Sequence, residues 1–301
     1  MPHPSSPFSR PLRAARRGRR RAAVGVTALA ASVAALVSTG ALTPTPAVAA
    51  TAAARPDAAT ADFLAQVRPQ GRERVTAAVL DLDAPGRGAT VYGADTAYDT
   101  ASIIKVDILA ALLLKAQDAG RGLTAQERTH AEAMIERSDN AAANALWRSI
   151  GRAPGLEAAN KRLGLTSTQG GPGARWGLTR TTASDQIRLL RAVFEPASSA
   201  SGGAEGLTAP SRGYLRTLMS RVVDEQSWGV SAAARSAAEL KNGWLQRTTT
   251  GLWDVNSIGR VAVGGHHYLV AVLSDGSTSM KAGVSLVERA ARTALSSTTD
   301  R

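Results

Sequence analysis

The hydrophobic period of the chain changes twice, and that limits the folds open to it. "RVTAAVLDLD" and "GATVYGAD", separated by the turn-like "APGRG", read as two strands of a hairpin. From Ser102 the apolar residues recur at helical spacing, and this continues to about Val223. Strands return in "AELKNGWL", "TGLWDVNSIGRVAV" and "HYLVAVLSD", with Gly264 and Gly265 as a two-residue hairpin turn between the last two. Early strands, a helical middle and late strands imply one sheet whose two sequence-distant parts pair, with a helical insertion packed against it. A helix is expected in "AATADFLAQV", others over 102–119, 125–136, 140–150, 155–163, 182–194 and 211–222, and a last one over 280–295. Glycine-rich loops, "TSTQGGPGARWGLTR" and "PASSASGGAEG", separate some of them, and neither is long enough to link independent domains.

The formal charge of +12 suggests nucleic acid until its location is considered. Residues 1–49 hold seven arginines (Arg10, Arg13, Arg16, Arg17, Arg19, Arg20, Arg21) and no acid, so the remainder carries 29 basic against 24 acidic groups, or +5. That is an ordinary surface, and nucleic-acid binding is not expected. The arginines precede "AAVGVTALAASVAALVSTGAL" and a small-residue site at Ala47, Val48 and Ala49, the pattern of an export signal cut near Ala49. The expectation is a secreted, extracellular protein with no stable membrane anchor after cleavage: leader 1–49, linker 50–56 and catalytic domain 57–301. The chain has no cysteine, which excludes disulfides, a thiol nucleophile and cysteine-ligated zinc.

"TASIIKVDILAALLLK" is apolar on nearly every face of a helix yet carries Lys105. Burying an ammonium there costs several kcal/mol unless it is paired or loses its proton. Residues i and i+3 share a helix face, so Ser102 and Lys105 can bring Oγ and Nζ together. A serine hydroxyl needs a partner to take its proton, and a desolvated lysine can act as that base where an arginine cannot. Against this stands the ordinary reading of a serine near a helix start and a lysine reaching solvent.

Two further stretches favour chemistry. "RSDN" puts Ser138, Asp139 and Asn140 at a break between helices, and "ELKNGW" puts Lys241, one of only five lysines, in a strand before Asn242 and Gly243. In order, S-x-x-K, S-D-N and K-N-G resemble the three motifs of the penicillin-recognising serine enzymes, the class A β-lactamases and the D,D-peptidase penicillin-binding proteins. The resemblance implies an α/β fold of the α+β kind, an antiparallel sheet of about five strands (57–101 and 224–301) flanked by terminal helices, with an all-helical part at 102–223. It implies Ser102 as nucleophile, Lys105 as its proton acceptor and Ser138 as proton relay to the leaving nitrogen. Asn140, Lys241, Asn242, Gly243 and Trp244 would bind substrate, Lys241 by its charge and Asn242 as an amide where a hydroxyl is usual. The backbone N–H groups of Ser102 and Trp244 would form the oxyanion hole, worth about 2.7–4 kcal/mol per donor.

The resemblance breaks in one place. Class A β-lactamases carry a loop glutamate that activates water to free the acyl-enzyme, and no Asp or Glu occurs here between Glu157 and Asp185; the loop offers Arg175 and Trp176. Deacylation is therefore expected to be slow. Only 36 positions separate Ser102 from Ser138, which implies one more open rim of the cleft. No metal and no cofactor are expected, since no H-x-H or H-E-x-x-H spacing exists and G-x-S-x-G is absent. His266 and His267 are expected to point to opposite faces of a strand as solvated turn residues. The expected partner is a small-molecule β-lactam or a peptidoglycan stem peptide, bound by a monomer. A D,D-peptidase or esterase and a non-catalytic binding module are the alternatives.

Overall fold

The Asp57 side chain accepts from Thr60 N at 2.7 Å and caps α1 (Ala58–Val67). The computed structural model describes residues 57–84, 88–195, 206–234 and 238–299, so the leader and linker expectations lie outside it. Strands β1 (Arg74–Asp81) and β2 (Thr90–Tyr92) pair antiparallel as the hairpin reading requires. After β3 (Tyr98–Asp99) and a 3-10 turn at Ala101–Ile103 comes α2 (Ile104–Asp118). Helices α3 (Ala125–Glu136), α4 (Asn140–Ser149) and α5 (Arg152–Leu163) follow, then the short β4 (Arg180–Thr181), α6 (Ala183–Phe194) and α7 (Ala209–Met219). Strands β5 (Glu239–Gln246), β6 (Trp253–Val263) and β7 (His266–Ser277) and helix α8 (Met280–Thr299) complete it.

The five-stranded sheet runs β2-β1-β7-β6-β5, antiparallel throughout, so the first strand pairs with the last and closes the fold across the helical insertion. Gly264 and Gly265 both take positive φ, 60° and 87°, the turn that matches the twist of a two-residue hairpin. A second pairing was not legible in the sequence: the two-residue strands β3 and β4 join, bringing the segment before Ser102 onto the long loop after α5. Strands so short carry no periodicity to read.

Both sheet faces are covered. Along β1 and β7, Ala78, Leu80, Leu269, Ala271 and Leu273 face the helical half, while Val75, Ala77, Val79, Val270 and Val272 face α1 and α8. This is the period of two expected of strands, with apolar residues on both sides because helices cover both. Helix α2 runs through the middle of the helical half and is buried on nearly every face. No helix among the described residues is long and apolar enough to cross a membrane.

One side chain in α2 is out of place in such a core. Both carboxylate oxygens of Asp107 are buried without a hydrogen-bond partner. Burial pushes its acid up to about 7; Gln186 nearby offsets part of this, and the charge of Asp185 adds to it. Because the folded state holds that proton more tightly than the unfolded chain, the stability tied to it is complete below about pH 4 and is lost as the pH rises through about 7. Asp107→Asn should therefore flatten the fall in urea-unfolding stability between pH 4 and pH 8, by at most about 4 kcal/mol for a shift of this size. Parallel pH profiles of the two proteins would disprove the assignment.

Candidate active site

The segment that carries Ser102 is held from three sides. Strand β3 pairs with β4, and Thr100 N donates to Thr179 O at 2.8 Å. Asn256, fully buried on β6, donates from Nδ2 to Asp99 O (2.9 Å) and Thr100 O (3.0 Å), and its Oδ1 accepts from Ser274 N (3.0 Å). Its neighbour across the strands, Gly243 on β5, lies directly against the turn: a Cβ there would sit 2.6 Å from Ser102 N and 2.7 Å from Ile103 N. The glycine of K-N-G thus admits the backbone of the Ser102 turn against the strand. Ala101 takes a φ of +48°, and Ser102 follows on the 3-10 turn, half-buried. Helix α2 proper starts only at Ile104.

Lys105 is completely buried, and its amine faces the turn between α3 and α4. Nζ lies 2.7 Å from Ser138 O, 3.0 Å from Ser138 Oγ and 2.8 Å from Asn140 Oδ1. Ser138 can offer both atoms because its backbone is left-handed, φ +56°, a conformation costing of order 1–3 kcal/mol in a non-glycine residue. Asp139 caps α4 by accepting from Ala142 N at 2.7 Å. The expected direct contact between Lys105 and Ser102 Oγ is not made. The 3-10 turn interrupts the α-helical spacing between the two, and the three oxygens of Ser138 and Asn140 engage the amine.

Desolvation lowers Lys105 to about 7, with Asp139 acting weakly in the other direction. A neutral amine suits this set of partners: two protons serve the carbonyl and amide oxygens, and the lone pair can accept the Ser138 hydroxyl proton. Lys241, also fully buried, donates to Asn242 O at 3.0 Å. Burial first, and the charge of Lys105 second, push its amine well below the ordinary lysine range.

Of the expected residues, Ser102, Lys105, Ser138, Asn140, Lys241 and Gly243 are brought together, and Asn242 is not. Its side chain is fully buried and donates to Gln226 O and Trp228 O, both at 2.8 Å. Alternation along β5 turns it away from Lys241 and Gly243, so it ties the strand to the preceding loop and cannot present an amide to substrate. Trp244 is half-buried and lies against Trp228, ring centroids 5.9 Å apart. Strand β5 is the outer strand of the sheet, so alternate backbone N–H groups along it are free of β6.

The loop before α6 is well tied. Gln169 and Arg180 exchange backbone hydrogen bonds, Gly171 N donates to Thr179 Oγ1 at 3.0 Å, and Asp185 accepts from Ser167 N and Thr168 Oγ1. The loop places the Trp176 ring 4.8 Å from Lys105 Nζ. Trp176 Nε1 donates to Asn144 Oδ1 at 2.8 Å. Asn144 lies one helical turn after Asn140, so one face of α4 holds both the amine and the ring above it. Asn144 and Asn256 were missed in the sequence; an i, i+4 asparagine pair on a helix that follows S-D is the signal that could have found the first.

A protein-family model described as "Beta-lactamase enzyme family" matches residues 117–298. Among solved structures, a mutant of PBP-A in acyl-enzyme complex with penicillin G aligns with a TM-score of 0.63 at 21% identity, covering 81% of this chain and 97% of that one. The TLA-1 extended-spectrum β-lactamase aligns with a TM-score of 0.66 at 15% identity over 78% of this chain and 97% of its own. A class A β-lactamase representative from Bacteroides cellulosilyticus gives 0.66 at 15% identity, covering 81% and 98%. No curated protein matches the chain.

Gly243→Ala would press a methyl group onto the Ser102 turn, an overpacking of the kind that costs about 1–3 kcal/mol. The expected result is a melting temperature a few degrees lower and labelling of Ser102 by a serine-directed reagent at least tenfold slower, both read on the purified variant. Wild-type labelling should rise with pH through about 7 as Lys105 gives up its proton. A flat pH profile would remove Lys105 from the base role.

Proposed function

The chain belongs to the β-lactamase enzyme family, and from that premise we propose that it is an exported serine hydrolase that opens a β-lactam or related amide through an ester at Ser102 and frees itself slowly. The observation that carries this reading is the buried amine of Lys105, lowered to about 7 and held between Ser138 and Asn140 one turn from Ser102. Ser102 Oγ attacks the amide carbonyl and its proton passes to the Lys105 and Ser138 pair. The 3.0 Å contact between Nζ and Ser138 Oγ supports delivery of that proton to the nitrogen as the carbon–nitrogen bond breaks. A substrate carboxylate beside Lys241 would favour the protonated form of its lowered amine and bind against it, and outward N–H groups of β5 with that of Ser102 receive the oxyanion.

The slow second step rests on the loop. A carboxylate that could activate water is absent from it, and the indole of Trp176 covers Lys105 instead. Water reaching the ester from this side must pass a hydrophobic ring. The N-terminal pattern supports export, and the same site would accept a peptidoglycan stem peptide as a carboxylate-bearing amide.

Incubation with a penicillin, followed by intact mass and ring opening together, tests the reading. An adduct that forms in the wild type, persists for minutes to hours and is absent in Ser102→Ala is the expected result. Ring-opened product in large excess over enzyme within that time would overturn slow deacylation, and binding without an adduct would overturn the enzyme reading. Trp176→Ala should shorten the adduct lifetime severalfold while leaving the acylation rate within about threefold, a change under 1 kcal/mol in barrier. An unchanged lifetime would clear the ring of that role.

A further inference from the structure

The turn joining β6 to β7 carries a second group of chemically active side chains. It stands apart from the cleft: Lys241 pairs with Ile258, and the turn begins after Val263, five positions further along β6. Strand β1 ends beside it in Asp81, Leu82 and Asp83, and β7 begins in His266 and His267. Sequence reasoning sends the two imidazoles to opposite faces as solvated residues. In the structure both meet carboxylates: His266 Nδ1 lies 3.0 Å from Asp81 Oδ2, and His267 Nδ1 lies 3.1 Å from Asp83 Oδ2.

We propose that Asp81, Asp83 and His266 form a binding site for a divalent transition-metal cation of the zinc, nickel or copper type, with His267, which meets Asp83, able to join it by a side-chain rotation. One ligand atom each from Asp81, Asp83 and His266 lies within 4.8 Å of the others. Ligands at zinc distances of about 2.0–2.1 Å on a tetrahedron are about 3.3 Å apart. The separations of 3.0 and 3.1 Å are close to that edge, so an ion can replace the hydrogen bonds now spanning them with small side-chain rotations.

Three features prepare the group. Asp83 N donates to Asp81 Oδ1 at 2.9 Å and His267 N donates to Asp83 Oδ2 at 2.6 Å, which fixes the two carboxylates on one side of the strand ends. The His266 ring stacks on Tyr268, centroids 6.1 Å apart. Among the described residues, neither carboxylate forms an ion pair with an arginine or lysine, and their ion-pair partners are the two imidazoles. Mixed imidazole and carboxylate donors select borderline ions over magnesium or calcium, which take all-oxygen shells.

The full chain, carrying no histidine tag and stripped with EDTA, is titrated calorimetrically with zinc, nickel and magnesium chlorides, and its melting temperature is read with and without each. One equivalent of zinc or nickel should bind and raise the melting temperature, and magnesium should do neither. His266→Ala with His267→Ala should abolish both effects, and Asp81→Asn should weaken binding at least tenfold. No binding of zinc or nickel, or binding of equal strength in the double variant, overturns the site. Should that variant not fold, wild-type protection decides: zinc must shield His266 and His267 from diethyl pyrocarbonate, and equal modification with and without zinc refutes the proposal.

Discussion

An amine without water around it is the constraint on which this architecture turns. Lys105 lies in a helix buried on nearly every side, so its charge cannot be shared with solvent. No carboxylate bonds to it; the neighbours are a carbonyl, a hydroxyl and an amide oxygen, all from one short turn. Such a set tolerates either protonation state, whereas a bonded carboxylate would fix the charged one. The charge of Lys105 in turn adds to burial in lowering the second buried amine, Lys241. The unfavourable backbone of Ser138 belongs to the same design, since the left-handed turn lets a single residue present two oxygens to the amine.

Ser102 is positioned by backbone, and the groups that hold its segment are far from it in sequence. Asn256 and Gly243 are cross-strand partners, and together they hold the segment from Asp99 to Ile103 by hydrogen bonds and by close contact. Asp99 is in turn fixed by Arg180 and Arg247, so β4 and the end of β5 meet at the same point. The central sheet thus does more than support the helical half. Its edge strand β5 and the neighbouring β6 set where the hydroxyl stands relative to an amine carried by α2.

Much of the fold was legible because its signals are local. Helix α3 and helix α4 begin where Thr124 and Asp139 cap them, and the positive-φ glycines of the β6–β7 turn mark the hairpin. Strands before and after the helical stretch declared one sheet built from both parts of the chain. The pairing of β3 with β4 was hidden, because two residues have no period and their partner lies about eighty positions away. The site was legible in its residues more than in its contacts. Ser102 and Lys105 stand out by helical spacing, and Ser138 and Asn140 by resemblance to a known set of motifs, but the 3-10 turn that breaks the Ser102 to Lys105 register is visible in neither. Asn242 was misread because a motif does not tell which face of a strand its middle residue takes. His266 and His267 stay about half exposed, as the turn reading expects, but the carboxylates of Asp81 and Asp83 that meet them lie at the end of another strand, and the sequence does not place them there.

The loop before α6 shows how one scaffold can keep its shape while its chemistry changes. Its backbone is held by Gln169 with Arg180, by Thr179 and by the buried carboxylate of Asp185, none of which faces Lys105. Loop integrity therefore makes no demand on the residue that covers the amine. That residue is Trp176, whose ring faces the cation and whose N–H is held by Asn144, one turn along the helix from Asn140. Helix α4 thus couples the hydrogen bonding of the amine to the hydrophobic cover over it. Any displacement of α4 would loosen both at once, so the protonation of Lys105 and its access to water are not independent variables in this fold.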